Sequence, residues 1–223
     1  MERRTTAIRR DPEAKQHQIL EAAFREFADH GLAGARLDDI AKRAGVAKGT
    51  IYLYFPTKEA LFEEMIRDTL ITALESVEAR LAASDNVSAA VQLRTVAVSW
   101  WDFLQTERVQ VVQRLVMADL RHFPGLIAFY TDAVVSRGRR LIASIVARGT
   151  ARGEFRPIEP EVGARMLQAM TITHSMWRSW RDVAPGLLPS ADDTVRHDVI
   201  EFFLHALRPD APADADPLHA DCA

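Results

Sequence analysis

Gly45 and the pair Phe55-Pro56 cut one stretch of this chain, Leu37–Lys58 (LDDIAKRAGVAKGTIYLYFPTK), into two very short helices and the start of a third. Leu37, Ile40, Ala41 and Ala44 recur at helical spacing and give the first helix a narrow apolar stripe. Glycine follows where a helix end needs a left-handed residue, a conformation it adopts without a Cβ clash. Val46 is placed to plug the corner. Ala47 to Phe55 reads as the second helix, with Ile51 and Phe55 one turn apart on its buried side. It ends at Phe55 because proline disfavours the α conformation in the residue before it. Thr57 is a good N-cap for the next helix, with Lys58 and Glu59 in its first turn. Two helices joined by a tight glycine turn are the minimal unit that lays a helix in the DNA major groove.

The side chains of the second helix suit that task. Phosphate contacts position a helix on DNA but carry no sequence information. Lys48 and Lys58 supply charged donors at helix beginnings, and Thr50, Tyr52 and Tyr54 supply hydroxyls. Gly49 removes a side chain and lets the backbone come close to a duplex. Leu53 has little left to bury against, and a thymine methyl is one use for it. A glycine-broken helix pair with scattered tyrosines also occurs in ordinary helical proteins, so spacing alone leaves both readings open.

The run from Ile19 to Met65, ILEAAFREFADHGLAGARLDDIAKRAGVAKGTIYLYFPTKEALFEEM, resembles the N-terminal domain of the tetracycline-repressor (TetR) family of transcriptional regulators. The match is dense: the phenylalanines of the first helix, Gly31, the DDIAKRAGV block, the GTIYLYF block and Lys58-Glu59-Ala60-Leu61. It covers about a quarter of the chain, and the remainder matches only in helical character and length. The resemblance implies that Lys48, Gly49, Thr50, Tyr52, Leu53 and Tyr54 lie on the DNA-recognition helix and that Lys58 contacts phosphate. Three positions depart from the family pattern. Arg36 stands where threonine or serine is common, and it can grip a phosphate but not cap a helix in the same way. Ala47 replaces a small polar residue. Leu53 replaces a histidine or tryptophan, so no base preference transfers there.

Upstream, Asp11-Pro12-Glu13 is a helix start, with an N-cap, a proline at the first helical position and an acid at the positive helix end. Ile19, Leu20, Ala23, Phe24 and Phe27 form the stripe that packs over the two short helices. Before it, Arg3, Arg4, Arg9 and Arg10 make either a basic arm reaching an adjacent groove or a solvated terminus. The 223 residues carry a net charge of −3, which suits DNA only when divided. Residues 1–55 hold ten Lys/Arg against eight Asp/Glu, and Arg208–Ala223 holds one Arg against four Asp. Affinity should therefore depend on where the basic residues sit rather than on bulk charge. No apolar run reaches the length of a membrane span, the N-terminus lacks the apolar region of a secretory signal, and Cys222 is the one cysteine. These features point to a soluble cytoplasmic protein acting at the nucleoid.

From Glu59 onward there is no strand alternation and no Gly-rich phosphate loop. The expected fold is all-α, an N-terminal three-helix helix-turn-helix domain with a helical C-terminal ligand-binding and dimerisation domain. Its divisions are a flexible basic arm (1–10), a helix-turn-helix domain (11–57), an effector-binding and dimerisation domain (58–208) and a disordered tail (209–223). Helices are expected at about 58–83, 87–105 and 107–119. A break at Pro124-Gly125 precedes a long helix to about 152, and two more follow at about 160–183 and 191–207.

Met166, Met170, Thr173, Trp177 and Trp180 recur in a heptad-like seam, and Val195, Val199, Phe202, Phe203 and Ala206 line the last helix. They are either a four-helix interface across a two-fold axis or intramolecular core; the family resemblance favours a homodimer. Such a dimer binds two half-sites about 34–36 Å apart, or a multiple of that, on a palindromic operator. Trp100, Trp101, Phe103, Leu104, Met117, Phe123, Phe129 and Tyr130 occupy the middle helices and are candidates for an apolar effector pocket. Met170, His174 and Trp177 join that candidate set. Taken singly, each is more often core than pocket wall. Trp100 and Trp101 diverge by about 100° on a helix, so both cannot face one core. His174, Arg178 and Arg181 lie off the seam and either read an acidic ligand or are solvated.

Catalytic motifs are missing: no GxSxG, no HExxH and no paired cysteines. His219 and Cys222 in the tail would leave a metal unsupported, so neither a metal nor a cofactor is expected. The reading is a homodimeric repressor released from double-stranded DNA by a small apolar or amphipathic effector that shifts the dimer to a DNA-incompetent state. The alternative is a nucleoid-associated or partner-controlled DNA-binding protein without a ligand.

Overall fold

The computed structural model describes residues 12–84, 86–180, 184, 186 and 192–209. The basic arm, the Asp11 cap, Arg181 and the tail with His219 and Cys222 lie outside the described residues. Within them every regular element is helical and there is no strand, so the chain is all-α. In chain order the helices are α1 (Pro12–Gly34), α2 (Leu37–Arg43), α3 (Lys48–Tyr54), α4 (Lys58–Ile66), α5 (Thr72–Ala82), α6 (Ala89–Leu104), α7 (Glu107–Ala118), α8 (Pro124–Tyr130), α9 (Arg137–Ala151), α10 (Pro160–Ser179) and α11 (Asp192–Ala206).

Two stretches expected as single helices are interrupted by π-helical turns, Arg67–Ile71 between α4 and α5 and Thr131–Ser136 between α8 and α9. At the first, the Thr72 hydroxyl donates to the Arg67 carbonyl at 3.2 Å, the carbonyl that also accepts the Thr72 backbone N–H. A π turn adds one residue to a helix without a glycine or proline, so apolar periodicity does not register it.

The chain divides into two compact units, each made of two stretches of sequence. The first contains the residues up to Thr72 together with Glu107–Asp132; the second contains Ala73–Thr106 and the chain from Ala133. The first unit buries Ile19, Ala23 and Phe27 of α1 against Ile40 of α2, Ile51 of α3 and Leu61, Phe62 and Met65 of α4. The rings of Phe27 and Phe62 meet edge to face, 5.9 Å apart, which adds about 0.5–1.5 kcal/mol to their burial. Gly31 breaks α1 with φ 70°, ψ 170°. The freed N–H of Leu32 donates to the Asp119 carboxylate at 2.6 Å. Glu26 is buried in this unit, and its carboxylate meets His30 Nδ1 at 3.0 Å and the Arg43 guanidinium at 3.3 Å.

The second unit has its own core. Leu93, Val96 and Ala97 of α6, Ile142, Ile145 and Val146 of α9, Leu167 of α10 and Ile200, Phe203 and Leu204 of α11 are all buried together. Each of these side chains except that of Ala97 contributes about 1.5–3 kcal/mol. The ion pairs around them, Arg94 with Glu201, Arg196 with Asp102 at 2.7 Å and Arg139 with Glu161 at 2.7 Å, contribute roughly 0–1 kcal/mol each. Burial therefore decides the stability, and the pairs fix which helix lies beside which. Gly149 of α9 lies under the buried Phe155 ring, where any Cβ would overlap it. Ser88 caps α6 by accepting from Val91, and Glu159 caps α10 by accepting from Glu161 and Val162 ahead of Pro160.

Candidate nucleic-acid interface and effector cavity

The α2–α3 corner is built by backbone hydrogen bonds. Gly45, at φ 63°, donates to Lys42 O, and Val46 donates to Ala41 O. This is the double closure that a left-handed residue after a helix allows. Gln18 of α1 adds a side-chain bond to Ala44 O at 2.8 Å, which pins the corner to the long helix. The direction of α3 is then set by Ile51, fully buried, and by Phe55 just beyond its end. The opposite face is open. Leu53 is 83% exposed and Tyr52 44%, and nothing stands within 4 Å of where a Gly49 Cβ would be. Thr50 and Tyr54 are half-buried at the edges of this face, and Arg36 is exposed just before α2. Arg36 sits at the N-cap position with extended backbone and no side-chain cap, whereas Thr57 caps α4 by accepting from Ala60 N at 3.1 Å.

Two of the expected phosphate donors share one acceptor. The Lys48 ammonium is 2.7 Å from Asp38 Oδ2, and the Tyr52 hydroxyl donates to Asp38 Oδ1 at 3.3 Å. The hydrogen bond from Lys48 holds the Asp38 carboxyl below its usual range and raises the Lys48 ammonium above its own. Lys58 points elsewhere. Its ammonium donates to Ala33 O at 2.9 Å and Ala35 O at 3.4 Å, the carbonyls where α1 ends, and it lies 5.7 Å from the Phe123 ring.

The second unit holds a cavity of about 220 Å³ among α5, α6, α9 and α10. Its wall is mostly apolar, with Leu74, Val77, Val96, Leu141 and Ile142, and Trp100 and Phe103 lie in it with ring centroids 5.9 Å apart. The polar lining is Ser76, Ser99, Gln168 and Arg80. Glu75 and Glu78 on α5 turn to Arg137 instead, with Glu78 in a two-pronged pair at 2.6 and 2.8 Å that holds its carboxyl below the usual range.

A family model described as bacterial regulatory proteins, tetR family, matches residues 19–65, and one described as AefR-like transcriptional repressor, C-terminal domain, matches residues 91–209. The chain belongs to the TetR family. Among curated relatives, the HTH-type transcriptional repressor SCO4008 of Streptomyces coelicolor is 46% identical over 68 residues, which are 30% of this chain and 35% of that protein. The HTH-type transcriptional regulator RutR of Escherichia coli is 29% identical over 192 residues, covering 83% of this chain and 82% of RutR. In fold the chain is similar to the regulator FadR of Bacillus subtilis, solved in complex with stearoyl-CoA, at a TM-score of 0.65 and 21% identity over 86% of this chain and 99% of that one. It is a DNA-binding transcriptional regulator, not an enzyme. No helix among the described residues is long and apolar enough to cross a membrane.

Of the residues expected around an effector in this TetR-family chain, Trp100 and Phe103 line the cavity. Trp101 is 2% exposed and stacks on His174 at 4.4 Å, so the two adjacent tryptophans diverge as helix geometry requires. Met170 packs against the core of the second unit, and Trp177 is exposed. Met117, Phe123, Phe129 and Tyr130 belong to the first unit: Met117 is exposed, Phe129 lies under the Arg67 guanidinium at 4.7 Å, and burial pushes the Tyr130 phenol up. Of the expected dimer residues, Met166, Trp180 and Phe202 are exposed and Val195 and Val199 half-buried, while Phe203 is buried in the chain's own core. Sequence reasoning missed Arg80, Gln168 and Asp38. Asp38 and Lys48 are ten residues apart across a turn, a pairing no helical repeat signals.

Proposed function

We propose that this TetR-family regulator is a homodimeric repressor that binds a palindromic operator through α3 and leaves it when a small apolar or amphipathic effector fills the cavity of the second unit. The observation that carries the effector reading is that cavity, about 220 Å³ with apolar walls and a few polar groups, the usual make-up of a small-molecule site. It favours ligand control over a ligand-free architectural role. On the scale of a roughly 150 Å³ cavity that holds benzene, each non-hydrogen atom needs about 25 Å³. A stearoyl chain of about 18 carbons, as in the FadR complex, then needs roughly 450 Å³, twice what this cavity encloses.

DNA binding rests on the open face of α3, with Lys48, Thr50, Tyr52 and Tyr54 as phosphate donors, Leu53 toward a base and Gly49 permitting close approach; Arg36 and Lys58 flank it. Dimerisation rests on Met166 and Trp177 of α10, Trp180 just past its end and Phe202 of α11, large apolar side chains that the chain leaves in water. Control follows from differential affinity: the effector must bind the DNA-incompetent dimer better, and tenfold release needs about 1.4 kcal/mol of difference. The test is selection of bound duplexes from a random pool, then a screen for small molecules that release the selected site. A two-fold-symmetric site and a releasing compound whose binding is blocked by filling the cavity are expected. A non-symmetric site overturns the dimeric-operator reading, and release that survives a filled cavity overturns the effector reading.

A further inference from the structure

We infer that the effector is a small carboxylate with an apolar body, its acid group held by Arg80; this rests on the cavity being the effector site. At about 25 Å³ per non-hydrogen atom, 220 Å³ holds roughly nine such atoms. That is the size of a monocyclic aromatic acid or a medium-chain fatty acid, and both share one chemistry, a carboxylate on six to eight carbons. The charge of the wall selects an acid. Arg80 lines the cavity without an ion-pair or hydrogen-bond partner among the described residues, and no acidic residue lines it. The nearest acids along α5, Glu75 and Glu78, are taken by Arg137. The remaining polar groups supply donors. Gln168 is buried and spends one amide hydrogen on Val135 O at 3.4 Å, leaving the other. The hydroxyls of Ser76 and Ser99 add two more. A wall whose polar groups can each donate, with one cation and no anion among the described residues, meets an anionic acceptor ligand better than a cationic one.

The experiment uses the full-length protein with four probes, benzoate, octanoate, benzamide and octanamide, followed by calorimetry and thermal shift. At least one acid is expected to bind at least tenfold more tightly than its amide, and the ring and chain arms tell which body fits. Arg80→Gln is expected to erase that preference, weakening the acid about tenfold and leaving the amide unchanged. The factor is modest because Arg80 is exposed and screened by solvent. Gly138→Ala serves as a second variant. Its Cβ would stand 3.5 Å from Gln168 Nε2 and 3.6 Å from Leu74 Cδ2, ordinary contact, and it removes about one carbon of space. It is expected to shift preference toward an acid one carbon shorter. If amides bind as well as acids, or Arg80→Gln leaves the acid untouched, the carboxylate assignment falls while the cavity stands. If no probe binds, the carboxylate assignment falls; if a probe binds and Gly138→Ala does not alter its binding, the cavity is not the effector site.

A different observation carries a second inference: the structure assigns Asp38 the part of an internal stand-in for phosphate that limits binding to non-operator DNA. Its two carboxylate oxygens hold Lys48 at 2.7 Å and Tyr52 at 3.3 Å, and these are the donors that α3 would offer to a duplex. Any duplex must displace Asp38 and bring its phosphates near a carboxylate. That penalty falls on every sequence alike, so it lowers the affinity for random duplex and for the operator by the same factor and keeps the already weak non-operator binding low. Asp38→Asn keeps the shape and removes the charge. It is expected to raise affinity for random duplex and for the operator alike, about three- to tenfold, leaving their ratio unchanged, and to steepen the slope of log affinity against log salt by up to about 0.9. Unchanged or weaker binding to random duplex overturns this role. Tyr52→Phe and Lys48→Ala run alongside; if neither alters DNA affinity, the assignment of α3 fails instead.

Discussion

Lys58 shows how much a single side chain's role depends on what surrounds it. The family resemblance implies a phosphate contact, yet in the DNA-free chain two of its three donors cap the carbonyls of Ala33 and Ala35. A cation at a helix C-terminus contributes about 0.3–1 kcal/mol. Lys58→Met is therefore expected to lower the urea-unfolding free energy by about 1 kcal/mol. With the third donor available to DNA, it should also reduce the salt slope by about one. Unaltered unfolding would show that the cap contributes nothing. Leu53 is the opposite case, so exposed that the fold makes no use of it. Leu53→Ala should leave stability within about 0.5 kcal/mol and change preference at one base pair of the selected site. An identical preference in both proteins removes Leu53 from base reading.

At the scale of elements, the joints carry the specificity of the fold. The break in α1 at Gly31 and the acceptor at Asp119 form one device, because a Cβ at Gly31 would lie 2.9 Å from Asp119 Oδ2. Asp119→Ala leaves the Leu32 N–H without its acceptor and should cost about 1–2 kcal/mol. Gly31→Ala adds both the close approach and the strain of φ 70°. The double variant should cost less than the sum, since removing Asp119 relieves the approach but not the backbone strain. Strict additivity in thermal unfolding would separate the two residues. In the second unit, Gly149→Ala gains up to about 1 kcal/mol of helix propensity but meets the Phe155 ring, and overpacking costs about 1–3 kcal/mol. Net destabilisation is expected, and an unchanged or higher Tm would mean that the ring yields freely.

For the whole molecule, the three chain crossings between the compact units follow Thr72, Thr106 and Asp132. One π-helical turn ends just before the first crossing and another spans the third. Single π turns in α-helices are frequent at functional sites, which makes these segments the place to look for coupling between effector and DNA. In the proposed homodimer the exposed apolar side chains of α10 and α11 form the interface, since a monomer gains nothing from Phe202 at 68% exposure. A variant with both Trp180→Glu and Phe202→Glu is expected to sediment as a monomer and to lose about 10²- to 10⁴-fold in operator affinity, because the second half-site no longer adds avidity. A double variant that stays dimeric places the interface elsewhere.

Helix positions in this protein were legible because their causes are local: apolar spacing, Gly45 as a stop, Phe55-Pro56 as a break and Thr57 as a cap. The short helix α3 was legible for the same reason, whereas its role on DNA was implied by the family resemblance and not by spacing. The π turns were not, since they come from one extra residue and a hydroxyl bond, neither of which disturbs the spacing. The cavity was only half legible. Trp100 and Trp101 had to diverge, but which one faced the core depended on α10 bringing His174 to meet Trp101. Arg80, Gln168 and Asp38 acquire meaning only from partners far away in the chain or from the lack of one. The sequence by itself determined an all-α chain with two short helices joined at Gly45, because secondary structure and capping are set within a few residues, and its family resemblance pointed to a regulator. Tertiary structure decided which donors are free, which acids are neutralised and where space is left, because those depend on distances between segments that no local pattern encodes.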